Sequence, residues 1–97
     1  MRVIARKTLI EYWRAYPKAE QPLKAWFAEA RKASWKTPHE ITDQYGNASV
    51  VGNNRVVFNI AGNTYRLVVA IHYSAGIICI RFIGAHKEYD QIDVETV

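Results

Sequence analysis

Cysteine is nearly absent: Cys79 is the only one, so no disulfide can close within the chain and no zinc-ligand spacing exists. Cys79 falls inside an apolar run and reads as a small core residue. Long apolar runs are missing too, since none approaches the ~20 residues a membrane-spanning helix needs. Met1-Arg2-Val3-Ile4-Ala5-Arg6-Lys7 is too short an apolar stretch for a secretion signal. A cytoplasmic protein without membrane association is therefore expected. No carboxylate pair or histidine cluster has metal-ligand spacing, so no metal or cofactor is expected. There are no repeats and no low-complexity tracts. Carboxylates are outnumbered, with 9 Asp and Glu against 13 Lys and Arg, a net charge of +4 and a pI near 9.4. That balance favours a polyanionic partner: RNA, DNA or an acidic protein.

What is present makes one domain, residues 1–97, with 49% of its residues apolar or aromatic and hence a core to bury. Val3–Ala5 is a short apolar start, read as an edge strand. Leu9, Tyr12, Trp13 and Tyr16 recur at i, i+3, i+4, i+7, which predicts an amphipathic helix ended by Pro17. After a polar turn over 17–21, Pro22 suits a first helical turn. Leu23, Trp26, Phe27 and Ala30 then repeat the helical spacing. Two such helices joined by a short connection predict an antiparallel pair. The stretch from Trp35 through Asn47 is rich in turn-formers and reads as irregular, with a short strand at Ser49–Val51.

From Arg55 the period changes to two, and Arg55–Ile60, Thr64–Tyr73 and Ile77–Ile83 read as strands. Gly62-Asn63 and Ala75-Gly76 are taken as two-residue turns. Register then follows by arithmetic: Asn59 opposite Arg66, Val57 opposite Val68, Arg55 opposite Ala70, and in the second hairpin Ala70 opposite Arg81 and His72 opposite Cys79. This sorts Val56, Phe58, Ile60, Tyr65, Leu67, Val69, Ile71, Tyr73, Ile78, Ile80 and Phe82 onto one apolar face. Arg55, Asn59, Arg66, His72 and Arg81 fall on the other. The expected class is α+β: two N-terminal helices packed on one face of an antiparallel, twisted sheet, the other face open.

Arginine is costly to bury unpaired, so Arg66 and Arg81 on that open face need a carboxylate, a phosphate or water. One reading is an ion-pair ladder with Glu88, Asp90 or Asp93. The other starts from Arg81-Phe82-Ile83-Gly84-Ala85-His86-Lys87-Glu88-Tyr89-Asp90. Gly84 lets the chain turn after the last strand, so that His86, Lys87, Tyr89 and Asp90 fall beyond the sheet end near Arg66. Histidine transfers protons near neutral pH, tyrosine stacks or donates, and lysine and arginine hold phosphate. Without a metal, this set suits cleavage of RNA by its own 2′-hydroxyl. His72 and His39 read as structural.

Several segments resemble the HigB toxins of type II toxin–antitoxin systems, within the RelE-like superfamily. They are Trp35-Lys36-Thr37-Pro38, Asn47-Ala48-Ser49, Arg55–Ile60, Gly62–Val68, Arg81–Gly84, His86, Glu88-Tyr89-Asp90 and Ile92-Asp93. The resemblance spans nearly the whole chain in order. It implies a RelE-like fold and an mRNA interferase, an endoribonuclease that cuts translated mRNA in the ribosome by metal-independent 2′-hydroxyl attack. It also implies a cognate helix-turn-helix, HigA-like antitoxin. On that resemblance the catalytic set is Arg66 and Arg81 on the scissile phosphate, His86 for proton transfer and Tyr89 against a base. Arg55, Asn59 and Lys87 are read as RNA contacts, Lys87 from its place in the run alone because that position varies in such toxins; Asn59 also supports Arg66, and Asp90 orients His86 or an arginine. The general base is left open between His86 and a basic side chain. Ala85 stands where such toxins usually carry threonine, a departure that keeps open a catalytically impaired RNA- or protein-binding module of the same fold.

Overall fold

Leu9 and Trp13 lie one turn apart and are both buried, as the apolar spacing of the first helix predicts. The computed structural model describes residues 1–97. In it a short edge strand β1 (Arg2–Ile4) precedes helix α1 (Arg6–Ala15), which stops before Pro17 because proline disfavours helical geometry in the residue before it. The polar turn expected over 17–21 is instead a 3₁₀ turn, Pro17–Ala19, running directly into helix α2 (Glu20–Lys32). Pro22 sits in the first turn of α2, where its missing N–H forfeits no helical bond. Lys24 lies over Trp13, and Arg6 lies over Phe27. That pairing runs α1 and α2 antiparallel.

The stretch 35–47, expected to be irregular, contains a further helix, α3 (Pro38–Gln44). Its start signal is local: Thr37 is the N-cap, Pro38 is the first helical residue, and the Glu40 N–H donates to Thr37 Oγ1. Only Ile41 of α3 is buried, so there was no apolar period to read. Tyr45, just beyond, donates its hydroxyl proton to Glu29 of α2. Burial and that carboxylate push the Tyr45 phenol well above its ordinary range.

Strands β2 (Ser49–Val51), β3 (Arg55–Ile60), β4 (Tyr65–His72) and β5 (Ile77–Ala85) complete a five-stranded sheet in the order β1-β5-β4-β3-β2. A one-turn helix, α4 (His86–Tyr89), follows β5 directly. The β2–β5 pairings are antiparallel; β1 pairs with β5 in parallel, so the sheet is mixed at that edge. Helices on one face of this sheet make the α+β class expected. The β3–β4 register is as predicted: Asn59 pairs with Arg66, Val57 with Val68 and Arg55 with Ala70. Gly62, at φ +67, supplies the left-handed conformation this turn requires.

The β4–β5 register differs from the sequence arithmetic. Ala70 pairs with Cys79, not Arg81, and His72 with Ile77, not Cys79. The connection is four residues, Tyr73–Gly76, closed by a bond from the Gly76 N–H to the Tyr73 carbonyl at 3.2 Å. A slip of two preserves the faces, because side chains alternate with period two. A bulge between Val68 and Val69 then adds one residue, Arg81, to β5 and reverses the faces beyond it. Ile83 therefore enters the core while Phe82, expected there, is half-buried on the reverse face beside Val68.

The core joins Leu9, Trp13, Leu23, Trp26 and Ala30 of the helices to Val56, Phe58, Ile60, Leu67, Val69, Ile71 and Ile78 of the sheet. At its centre Phe58 contacts Trp26, Trp35 and Tyr45 at ring-centroid distances of 5.4, 6.1 and 5.1 Å. Truncating such a side chain to alanine costs about 3–5 kcal/mol. The reverse face is not simply open, because Val57, Val68 and Ala70 on it are buried as well. Residues 91–97 cross it: Asn53 Nδ2 donates to the Glu95 carbonyl, and Arg55 Nη2 and Arg81 Nε both donate to the Val97 main-chain oxygen, at 2.7 and 3.0 Å. No helix is long and apolar enough to cross a membrane.

Candidate active site

At the β3–β4 turn end of the reverse face, Arg66 is the hub. Its pairing with Asn59 across the ladder puts the two side chains on the same face, and Nη1 donates to Asn59 Oδ1. Asn59 is itself fixed, since its Nδ2 donates to the Asn47 carbonyl at 2.9 Å. Arg66 Nη2 lies 2.7 Å from His86 Nε2, and the guanidinium sits 5.6 Å from the centre of the Tyr89 ring. Arg66 Nε is buried without a hydrogen-bond partner.

The turn into α4 makes this possible. Gly84 pairs with Arg66, and a Cβ on it would lie 2.6 Å from Phe82 Cζ and 3.3 Å from Glu88 Cβ. A hydrogen at that position lets the Phe82 ring and α4 close over the strand end. Ala85 is the N-cap of α4, and the Glu88 carboxylate accepts from its N–H at 2.9 Å. His86 and Tyr89 then lie three residues apart on one side of a single helical turn, as i, i+3 neighbours do.

Of the residues the sequence singled out, Arg66, Asn59, His86 and Tyr89 come together. Arg55 and Arg81 do not join them; both bind the Val97 main-chain oxygen farther along the face. Lys87 is exposed on α4. Asp90, expected to orient His86 or an arginine, makes no side-chain hydrogen bond or ion pair to either. The carboxylate ladder is absent as well: the ion pairs are Lys7–Glu11, Lys24–Glu20 and His39–Asp43, none of which involves Arg66 or Arg81. Two contributors escaped the sequence reading. Asn47 acts through its carbonyl, which has no sequence signal. Phe82 reached this face only because of the bulge.

The guanidinium thus carries a positive charge with no carboxylate against it, held in place by an amide and an aromatic ring, beside an imidazole. An anion with two or more oxygens fits such a donor set. No group of three His, Cys, Asp or Glu side chains is arranged to hold a metal ion.

Comparison with known families gives one match. The model for the HigB toxin, described as the RelE-like toxic component of a toxin–antitoxin system, matches residues 19–92. That range takes in every residue of the Arg66 cluster. No curated protein matches the chain.

Proposed function

Because the chain belongs to the HigB family of RelE-like toxins, we propose that it is an mRNA interferase that cuts translated mRNA on the ribosome, in the cytoplasm, and so inhibits translation. Membership of a toxin–antitoxin family implies an antitoxin partner; in this proposal it carries a helix-turn-helix domain. The reaction is attack of an RNA 2′-hydroxyl on the adjacent phosphorus. The P–O2′ bond forms, the P–O5′ bond breaks, a 2′,3′-cyclic phosphate is left, and the 5′-oxygen takes up a proton. DNA has no 2′-hydroxyl and is not a substrate.

The observation that supports this most is the uncompensated Arg66 guanidinium against His86. A non-bridging phosphate oxygen that takes the Arg66 donors stabilises the extra charge developing at phosphorus. It also frees His86 Nε2, which is then able to accept the 2′-hydroxyl proton. Tyr89 offers a ring edge and a hydroxyl to the base beside the scissile bond. Arg55, Arg81 and Lys87 are assigned to flanking phosphates, with Asn59 holding Arg66 in line. The test is induced expression in a bacterium with primer-extension mapping of transcripts. New 5′ ends and growth arrest, lost in folded Arg66→Ala and His86→Ala variants, are the expected result. Intact transcripts and normal growth at confirmed soluble expression overturn the proposal.

Arg81 bound to residue 97, away from Arg66, favours one second reading: an RNA-binding module that does not cut. RNA retention without new 5′ ends, unaffected by His86→Ala, would identify it.

A further inference from the structure

Arg55 and Arg81 stand on β3 and β5, the two strands that flank β4. Both reach one acceptor: Arg55 Nη2 and Arg81 Nε donate to the Val97 main-chain oxygen at 2.7 and 3.0 Å. Donors that share one oxygen are close enough to share one phosphate. No side-chain carboxylate pairs with either arginine, and Arg55 Nε is buried with no partner. The pair therefore has the donor set of an anion site of its own, apart from Arg66, and residue 97 fills it.

The segment that fills it is held lightly. None of residues 91–97 is buried; Ile92, Val94 and Val97 are half-buried and the others exposed. Beyond the two arginine bonds, one side-chain bond ties it down, from Asn53 Nδ2 to the Glu95 carbonyl at 2.9 Å. The remaining order is internal. The Thr96 and Val97 N–H groups donate to the Asp93 carbonyl at 3.1 and 3.0 Å, and the Glu95 N–H donates to Asp93 Oδ1 at 3.1 Å. That turn aims the Val97 oxygen at the arginines. The Glu95 carboxylate lies against Gly52, where a Cβ would overlap it. Asp93 and Glu95 thus set negative charge near the arginine pair, against an incoming phosphate. A segment with exposed hydrogen bonds and no buried side chain opens at low cost, while the arginines stay fixed on the strands of the sheet.

We propose that residues 93–97 are an internal competitor for RNA: they hold the Arg55–Arg81 phosphate site closed and swing away when a phosphodiester takes the two guanidiniums. The inference rests on the RNA-directed reading of the Arg66 face. It reconciles the assignment of Arg55 and Arg81 to flanking phosphates with their bonds to residue 97. A strap that is closed most of the time lowers apparent affinity in proportion to the open fraction. Loosening it therefore strengthens RNA binding.

The test uses the full chain, a fluorescent single-stranded RNA blocked by 2′-O-methylation, and two substitutions that leave every charge in place. Asn53→Gly removes the donor to Glu95 and keeps the left-handed backbone at φ 60. Val97→Pro removes the N–H that closes the turn on Asp93. The double variant is expected to bind RNA about tenfold tighter by fluorescence anisotropy, and that gain should vanish in an Arg55→Gln/Arg81→Gln background. Hydrogen exchange of the strap amides should quicken when RNA is added to the unmodified chain. Circular dichroism checks that each variant folds; if the double does not, either single variant carries the test, at about threefold. Equal or weaker RNA binding by the folded, loosened variants overturns the proposal. So does a gain that survives without the two arginines, or slower exchange of the strap in the presence of RNA. Cleavage of unmodified RNA is read separately. Strap opening without cleavage supports the proposal and sinks the interferase reading alone, whereas no RNA binding by any form overturns both.

Discussion

Arg66 Nη2 lies 2.7 Å from His86 Nε2, and this contact specifies the role of that nitrogen. A guanidinium only donates hydrogen bonds. As a hydrogen bond, the contact therefore has Nε2 as its acceptor. Under the proposed function, a phosphate that captured the Arg66 donor would release the Nε2 lone pair and so couple substrate binding to activation of the base. Replacing His86 by glutamine keeps an acceptor for Arg66 and removes proton transfer. His86→Gln is therefore expected to bind a 2′-O-methyl RNA as the unmodified chain does, while single-turnover cleavage falls by about 10²–10⁴. Equal losses in binding and cleavage would instead make His86 a positioning residue.

Asn59 connects Arg66 to the Asn47 carbonyl. Removing its amide in Asn59→Ala frees one side of the guanidinium. Cleavage should fall by about tenfold, the equivalent of one hydrogen bond to a charged group. Unfolding midpoints should move little, because Asn59 is only half-buried. An unchanged single-turnover rate counts against the bracing role.

Ala85 occupies the N-cap of α4 in extended geometry, φ −73 and ψ 165, with no side-chain cap. Threonine there can accept from the Glu88 N–H. Ala85→Thr is expected to stabilise the fold by about 1 kcal/mol, read from chemical denaturation, and to raise cleavage by ordering His86. On this geometry, alanine at position 85 leaves α4 without a side-chain cap.

Gly84→Ala sets a Cβ 2.6 Å from Phe82 Cζ, so the ring or α4 must move. The expected loss is about 1–3 kcal/mol, smaller when Phe82 is first replaced by leucine. That coupling, measured as a double-mutant cycle, also tests the bulge. With Phe82 in the core, the two substitutions would add independently.

Tyr12 packs beside Tyr16 and Tyr65, and its phenol is pushed up to about 12, first by burial and then by the charge of Glu88 on α4. A raised value in the folded state means the unfolded chain loses its proton first. Stability from this group is thus full below pH 10.0, the ordinary tyrosine value, and lost as pH rises toward about 12. Urea midpoints should decline over that window, less steeply in Tyr12→Phe. Glu88→Gln should move the phenol back toward its ordinary value in a spectrophotometric titration.

The helices α1 and α2 and the β3–β4 hairpin were legible because each repeats an apolar signal. Leu9 and Trp13, or Val56, Phe58 and Ile60, recur at one spacing, and burial penalises any other register. Asn59 beside Arg66 followed from that register alone. α3 was not legible, since it buries one residue and rests on the Thr37 cap. The C-terminal half of the candidate site was legible only as a list of side chains.

The sequence by itself determined the α+β architecture, the two amphipathic helices, the pairing of Asn59 with Arg66 and the family. Those depend on local period and on residue identity. Tertiary structure decided the four-residue turn at Tyr73–Gly76, the bulge that moves Phe82 out of the core, the bond from Arg81 to residue 97 and the meeting of Arg66 with His86. A bulge changes register without changing composition, and a main-chain oxygen such as that of Val97 or Asn47 has the same identity in every residue. Which of them an arginine or an amide reaches is settled only when the chain has folded back on itself.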